Sequence, residues 1–466
     1  MPTADVSAPL WAGRFREGAD PRALELSGSL EIDLPLAQYD IDGSRAHLDE
    51  LHELGLLTRE QRGVLQDALA AVAQRLADGS FDWRPEHEDM HMNIEAAVIE
   101  AVGPELGGQL QAGRSRNEEI VSDERRWLRE AAGRLAARLG ELQSALLERA
   151  MQEIDTVLPA HTHSQPAQPV LLAHHLLAHV EMLDRDRGRL ADAAARADRS
   201  PAGSGAAVGS GLPLDRQRLA RRLGFAAVTD NSLDAVADRD YAVELLSAIA
   251  LAMVHLSRLA GELVLWSTPY LGFVRLADGY ASGSSMLPNK RNPDSAELVR
   301  ARAWRVQADL ATVLSLAGGL PLAYHRDLQE TRRAMFDAAD SLELCSQVLT
   351  GAIATLHFDR AAMRRAASGG HALATALADR LLRAGVPFRS AHRRVGELVA
   401  VAEARGCDLS ELPPAELRAA LPELADQASP MPTLDEAVAA ADVHGGTAPH
   451  RVRAALIATA QRLAAG

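Results

Sequence analysis

Aromatic side chains are scarce in this sequence: seven Phe, five Tyr and five Trp make up 4% of 466 residues. A β-sandwich core leans on aromatic and β-branched residues. This chain must instead build its interior from Leu, Ala and Val, which favours long packed helices. Cysteine is just as rare. Cys345 and Cys407 have no metal-like spacing, so a disulfide scaffold is excluded and a reducing compartment is expected. A positive charge balance is also missing. Against 49 basic residues stand 63 acidic ones, a net charge of −14, so the broad basic face that nucleic acid requires is not expected. A local cluster of Arg and Lys can still bind a small anion. No apolar run approaches the roughly 18 residues of a membrane helix. The opening MPTADVSAPLW has no charged stretch followed by an apolar core, so no signal peptide is expected. The expectation is a soluble cytoplasmic protein with no nucleic-acid or membrane partner.

What is present is helical periodicity. Leu128, Ala131, Leu135, Leu139, Leu142, Leu146 and Ala150 recur at steps of three and four, which predicts one apolar stripe on a long helix. Leu245, Ile249, Met253, Leu256, Leu259 or Ala260, and Leu263 repeat the pattern. A third long helix is predicted from about Pro293 to Leu316, with Pro293 suited to a first turn. Helices of this length predict a bundle shared between subunits. Strand signals are nearly absent. The length suits roughly three domains of about 150 residues. Irregular stretches at 111–119 and 357–370 set the boundaries: residues 1–111, a long-helix domain over 112–360, and a smaller helical domain over 361–466.

Several motifs carry polar chemistry. GSGAAVGSG (203–211) lacks the preceding strand and the closing Lys-Ser or Lys-Thr of a phosphate loop, and reads as a flexible loop. His87, Glu88, Asp89, His91 and Glu95 form one polar cluster, and His175 and His179 lie one helical turn apart. Neither set completes a ligand pattern such as HExxH. No metal is expected, and polar helix faces or substrate contacts from His91 are the better readings. HTHSQPAQPV (161–170) is either a helix start capped by Thr162 or Ser164 or a functional segment. In GRSRNEE (113–119), Arg114, Ser115, Arg116 and Asn117 can bind an anion at a helix N-terminus or simply cap it. The most specific segment is GSSMLPNKRNPD (283–294). Gly279 and Gly283 loosen it, while Pro288 and Pro293 stiffen it, as a loop that moves and then holds a fixed geometry requires. Lys290 and Asn292 can grip a carboxylate with Ser284 facing the adjacent carbon.

Together these segments resemble the fumarase/aspartase superfamily and, within it, the argininosuccinate lyases, over nearly the whole chain. LWAGRF (10–15) is similar to the family's opening. GRSRN, HTHSQPAQPV and GSSMLPNKRNPD are similar to the superfamily's three active-site segments. NSLDAVADRD (231–240), GLPLAYHRDLQE (319–330) and AGVPFRSAH (384–392) are similar to argininosuccinate lyases in particular.

The resemblance implies an all-α, three-domain fold whose long central helices form a twenty-helix core in a D2 homotetramer. Each active site would be shared by three subunits. It implies reversible cleavage of argininosuccinate to arginine and fumarate, with no cofactor. The carbanion next to a carboxylate would be an aci-carboxylate, which needs fixed cations and N–H donors. The resemblance assigns Ser284 and His163 to acid–base catalysis, Ser284 as base and His163 on the leaving-group side; the reverse assignment fits the same residues. Lys290 would support the serine base, and Glu297 would orient the histidine. Asn292, Ser115, Asn117 and Arg116 would bind carboxylates, with Thr162 and Ser29 also holding substrate. Tyr324 and Gln329 would meet the guanidinium. Arg332 stands where the family has Lys, which keeps the charge but exchanges a point charge for a planar fork. Leu287-Pro288, Asn289-Lys290-Arg291, Ser164 and Pro166 are milder departures. Two other readings remain: a sibling lyase such as adenylosuccinate lyase, and a non-catalytic, crystallin-like protein on the same fold.

Overall fold

The structure is a computed structural model that describes residues 20–465. The LWAGRF segment lies outside them. Five helices dominate: α1 (Arg116–Gln152), α2 (Leu172–Ala197), α3 (Asp240–Trp266), α4 (Asp294–Gly318) and α5 (Glu330–Thr355). The periodic positions do what the pattern predicts. Leu128, Ala131, Leu135, Leu139, Leu142, Leu146 and Ala150 of α1 have no solvent exposure, and the stripe of α3 is likewise buried. The fold is all-α. Among the described residues, strands are confined to one hairpin and three pairs of two-residue strands.

The chain forms two compact units. The first comprises the described residues up to Ala136 together with Gly188–Ala250 and Arg305–Ser341. Here the helix Ala37–Glu53 packs on Arg59–Ala77, which packs on Met90–Val102. A reciprocal cap starts the second of these: the Gln61 N–H donates to Thr58 Oγ1 at 3.1 Å, and the Thr58 N–H donates to Gln61 Oε1 at 2.9 Å. The glycine-rich 203–211 segment is more tightly held than a flexible loop. Ser204 is fully buried, and the Gly205 N–H donates to Glu118 Oε2 at 2.6 Å.

The second unit comprises Ala137–Arg187, Leu251–Trp304 and the described residues from Leu342 onward. It contains the hairpin, β1 (Val157–Thr162) paired antiparallel with β2 (Gln165–Leu171). The 161–170 segment is therefore not a capped helix start, and neither Thr162 nor Ser164 is an N-cap; α2 begins only at Leu172. The helices Arg360–Ser368 and Leu434–Ala440 cover the hairpin. Thr447 Oγ1 accepts the Leu171 N–H at 3.0 Å. Gly351 of α5 has no room for a side chain, because the Tyr280 hydroxyl occupies the space a Cβ would take.

One expectation needs correction. α3 is long and apolar enough to cross a membrane by length and composition alone, and half of its most apolar stretch is buried inside the protein. Its apolar excess comes from a core stripe flanked by further Leu, Ala and Val.

Leu135 tests the α1 stripe. Leu135→Ala is expected to lower stability by about 2–5 kcal/mol through lost burial and a residual cavity. Urea unfolding followed by circular dichroism measures it.

Candidate active site

Two helix N-termini in the first unit build a pocket of about 250 Å³. At the start of α1, the Ser115 carbonyl accepts the N–H groups of Glu118 and Glu119 at 3.0 and 3.2 Å. Its Oγ accepts the Asn117 N–H at 3.3 Å. Ser115 is thus the cap that sequence reasoning allowed, and Arg116 and Asn117, the first residues of α1, line the cavity. Tyr324 and Gln329 precede α5, and Arg332 lies in its first turn. All three line the same cavity, as does Ser29. The positive end of each helix faces a site that can take negative charge.

The cavity also holds carboxylates. Asp33, Glu88 and Asp89 line it beside Arg116, Arg326, Arg332 and His91. Ser29 Oγ donates to Asp33 Oδ2 at 2.6 Å. Arg332 is buried, with Nε 2.9 Å from Asp33 Oδ1 and Nη1 3.7 Å from Glu124 Oε1. Burial pushes the Asp33 carboxyl up from its ordinary range despite the opposing pull of Arg332 and Ser29. Arg116 reaches Asp89 at 3.4 Å and Glu95 at 3.7 Å. Arg326 pairs with Glu88 at 2.5 Å. Arg114 does not line the cavity: it pairs with Glu119 at 3.1 Å and donates to Ser44 at 2.9 Å. The site therefore presents both signs of charge, as a zwitterionic ligand demands.

His91 sits at the wall of this pocket. Its Nδ1 donates to Asp40 Oδ1 at 2.8 Å, and Glu119 Oε2 is 3.7 Å away. Its Nε2 is buried without a hydrogen-bond partner among the described residues. Burial alone would suppress the charged ring, but Asp40, Asp89 and Glu119 outweigh it and raise the pKa to about 10. The ring is an imidazolium at neutral pH.

The other assigned residues lie in the second unit, and none lines this cavity. Thr162 pairs with Gln165 at the end of the hairpin, and His163 and Ser164 form its turn. Both turn residues have positive φ, 54° and 60°, the geometry of a tight two-residue hairpin turn. His163 is exposed at the tip. The 283–294 segment is pinned at its base by pairing of Ser282–Gly283 with Arg291–Asn292. Arg291 strengthens that base by pairing with Asp278 at 2.7 Å and donating to the Leu276 carbonyl at 2.6 Å. Within the loop, Ser284 Oγ accepts two backbone N–H groups, from Met286 at 3.2 Å and Leu287 at 3.0 Å. Lys290 is exposed near the base of the loop. Asn292 Nδ2 donates to Ser282 Oγ at 3.4 Å. Glu297 occupies the first turn of α4, where sequence placed it. Its ion-pair partner is Arg300 at 3.8 Å, not a histidine of the same chain.

The assigned residues thus fall into three groups: six around one cavity with Ser115 capping beside it, two at a hairpin tip, and four on one loop and the helix after it. Sequence reasoning missed Asp33, Glu88, Asp89 and Arg326 as pocket residues. Glu88 and Asp89 lay in a cluster read as a polar face; Arg326 lay within the 319–330 segment without being given a role, and Asp33 carried no local signal. One available signal went unused: Lys290 is the only lysine in the chain.

The His91 imidazolium makes a pH prediction. Its folded-state pKa lies above the ordinary value of 6.5, so its stabilisation is complete below that value and is lost as pH rises through about 10. Glu118, pushed up to about 7 by burial, titrates at the edge of this window, so the His91→Gln comparison isolates the share of His91. Urea midpoints are expected to fall between about pH 7 and pH 10. In His91→Gln the midpoint is expected to start lower and change less over the same range.

Comparisons with known proteins follow the same lines. Residues 13–308 match the family profile described as lyase, and residues 371–439 match that described as argininosuccinate lyase C-terminal. The chain is 46% identical to the argininosuccinate lyase of Desulforudis audaxviator (strain MP104C) over 97% of its own length and 99% of the relative. It is 44% identical to that of Hyphomonas neptunium (strain ATCC 15444) over 98% and 99%. Among solved structures it is similar to an EDDS lyase variant with bound fumarate, with TM-score 0.81 and 27% identity, covering 95% of this chain and 88% of that one. The class II fumarase from Schistosoma mansoni shares the fold, with TM-score 0.74 and 16% identity over 89% and 94%. The chain belongs to the argininosuccinate lyase family of the fumarase/aspartase superfamily.

Proposed function

We propose that this chain catalyses the reversible β-elimination of argininosuccinate to arginine and fumarate, the last step of arginine biosynthesis. The observation that carries this reading is the setting of Ser284. A serine hydroxyl is a poor base unless its conjugate oxyanion is stabilised. Here two N–H groups already point at Oγ, and the chain's single lysine follows six residues later.

In the reaction, Ser284 Oγ takes the proton from the carbon beside a substrate carboxylate. The electron pair moves into that carboxylate, giving the aci-carboxylate held by Lys290 and Asn292. Collapse forms the carbon–carbon double bond and breaks the C–N bond, while His163 delivers a proton to the departing guanidine nitrogen. Glu297 orients that histidine across a subunit boundary. The mixed-charge pocket supplies binding. Arg116, Asn117, Ser115 and the α1 N-terminus meet carboxylate. Asp33 and Gln329 with Tyr324 meet the guanidinium side, and Ser29 and Thr162 complete the contacts. Arg332, already flanked by Asp33 and Glu124, tunes that pocket through its fixed planar charge.

The three groups of residues are completed across a homotetramer with D2 symmetry, each site drawing on three subunits. α4 supports this. Only Ala296, Val299, Ala303, Val306 and Val313 along it are buried, while Leu298, Trp304 and Leu314 are 63%, 69% and 52% exposed. So much uncovered apolar surface on one long helix calls for partner helices. The domain division near residues 111 and 360 belongs to the same reading. Both cysteines are free, which supports a cytoplasmic setting.

Fumarate absorbance tests the reaction. It is expected with argininosuccinate and not with adenylosuccinate, and Ser284→Ala is expected to lower kcat by about 10²–10⁴-fold. Fumarate from the purine substrate would move the chain to the sibling activity. No turnover of either substrate by the intact tetramer would leave the crystallin-like reading. Light scattering tests the assembly. The native chain is expected at four times 49.8 kDa. Trp304→Glu is expected to yield smaller helical species without activity. A fully active monomer contradicts the shared sites.

A further inference from the structure

Early in α2, His175 and His179 stand at i and i+4 and project from one helical face. Glu262, one turn before the end of α3, reaches both. Its Oε2 lies 2.8 Å from His175 Nε2 and 2.9 Å from His179 Nε2. The three ligand atoms lie within 4.8 Å of one another. The His175 ring packs against Trp266 at 5.0 Å between centroids, and Trp266 packs against Phe273 at 6.3 Å, so its orientation is set by packing. The His179 side chain is nearly buried, while those of His175 and Glu262 keep 27% and 33% exposure, which leaves one side open to solvent.

We propose that His175, His179 and Glu262 form a binding site for a borderline divalent cation of the Zn²⁺ class. Two imidazoles and one carboxylate are a ligand set that such ions take, with water filling the remaining position. Both Nε2 atoms and the carboxylate oxygen face one point, where an ion takes the Nε2 lone pairs and each neutral ring carries its single proton on Nδ1 instead. The open side gives the ion entry and room for the water ligand. None of the residues assigned to catalysis or substrate binding belongs to the cluster, so the ion acts as a clip between α2 and α3. The sequence shows only the HxxxH half of this site; Glu262 is 83 residues from His179 and is supplied by the fold.

A second cluster of similar composition, Asp40, His91 and Asp123, does not qualify. It is fully buried, its histidine holds its proton against Asp40, and Arg114 and Arg126 already supply positive charge there. An imidazolium cannot ligate a cation.

Cobalt titration tests the site. The chelator-treated full chain is expected to take up one equivalent of Co²⁺ with visible d–d absorption, displaced by Zn²⁺. Glu262→Gln and His175→Phe are each expected to weaken uptake by more than the roughly 10–100-fold that loss of a mere supporting partner gives. Zn²⁺ is expected to raise the melting temperature of the native chain and of Ser284→Ala, but not of the two cluster variants. A purely structural ion pair would lose stability in Glu262→Gln without any Zn²⁺-dependent shift. No uptake, or uptake unchanged in the folded variants, overturns the proposal.

Discussion

Glu124 is the constraint around which the first unit is arranged. It has no solvent exposure, yet it meets two guanidiniums, Arg332 at 3.7 Å and Arg239 at 3.5 Å, and accepts the Tyr241 hydroxyl. An unpaired carboxylate at that depth would be prohibitive, so α1, the start of α3 and the start of α5 must converge there. Their convergence sets the positions of Arg332, Gln329 and Tyr324 around the pocket. Arg125 adds a second tie from α1, through Asp238 just before α3, with its guanidinium 4.7 Å from the Tyr241 ring centroid. A charged pocket inside a Leu- and Ala-rich bundle is possible because each buried ion is matched by another. Arg239 Nε and Nη2 are buried without hydrogen-bond partners among the described residues.

The fold was legible to the extent that local period decides structure. A stripe sustained over a 37-residue helix, as in α1, leaves no room for another reading. The hairpin at 157–171 was not legible. Its strands carry three prolines, and its turn is His163–Ser164 where Asn-Gly would be the usual signal. Both residues sit at positive φ, a conformation costly for side chains with a Cβ. Cost at an assigned catalytic histidine is where local rules are expected to yield.

The site was legible in part, for the same reason. Ser284 and Lys290 sit in a short segment whose composition suits no ordinary helix or strand, and Ser115, Arg116 and Asn117 in one that reads as a helix start able to cap itself or bind an anion. Asp33 and Arg332 meet although they lie 299 positions apart, and nothing near either residue announces the other. His91 was visible as a polar residue, but its retained proton depends on Asp40 from another helix and Glu119 from a third. Chemistry set by three-dimensional charge balance cannot be read from one segment.

Composition also explains the departure at Arg332. The chain uses arginine for nearly every cation, and Lys290 is its sole lysine. At position 332 the exchange is tolerable. The guanidinium lies between two buried carboxylates, where a planar, weakly hydrated fork pairs better than a compact ammonium. At position 290 the demand is different. The side chain is exposed on a loop, no carboxylate pairs with it among the described residues, and under the proposed reaction the charge it meets is the developing aci-carboxylate. A point charge on a flexible stem can follow that charge as it develops, which a rigid fork cannot do as readily. Under the proposed reaction, arginine suits position 332, where the partner is fixed, and lysine suits position 290, where it comes and goes.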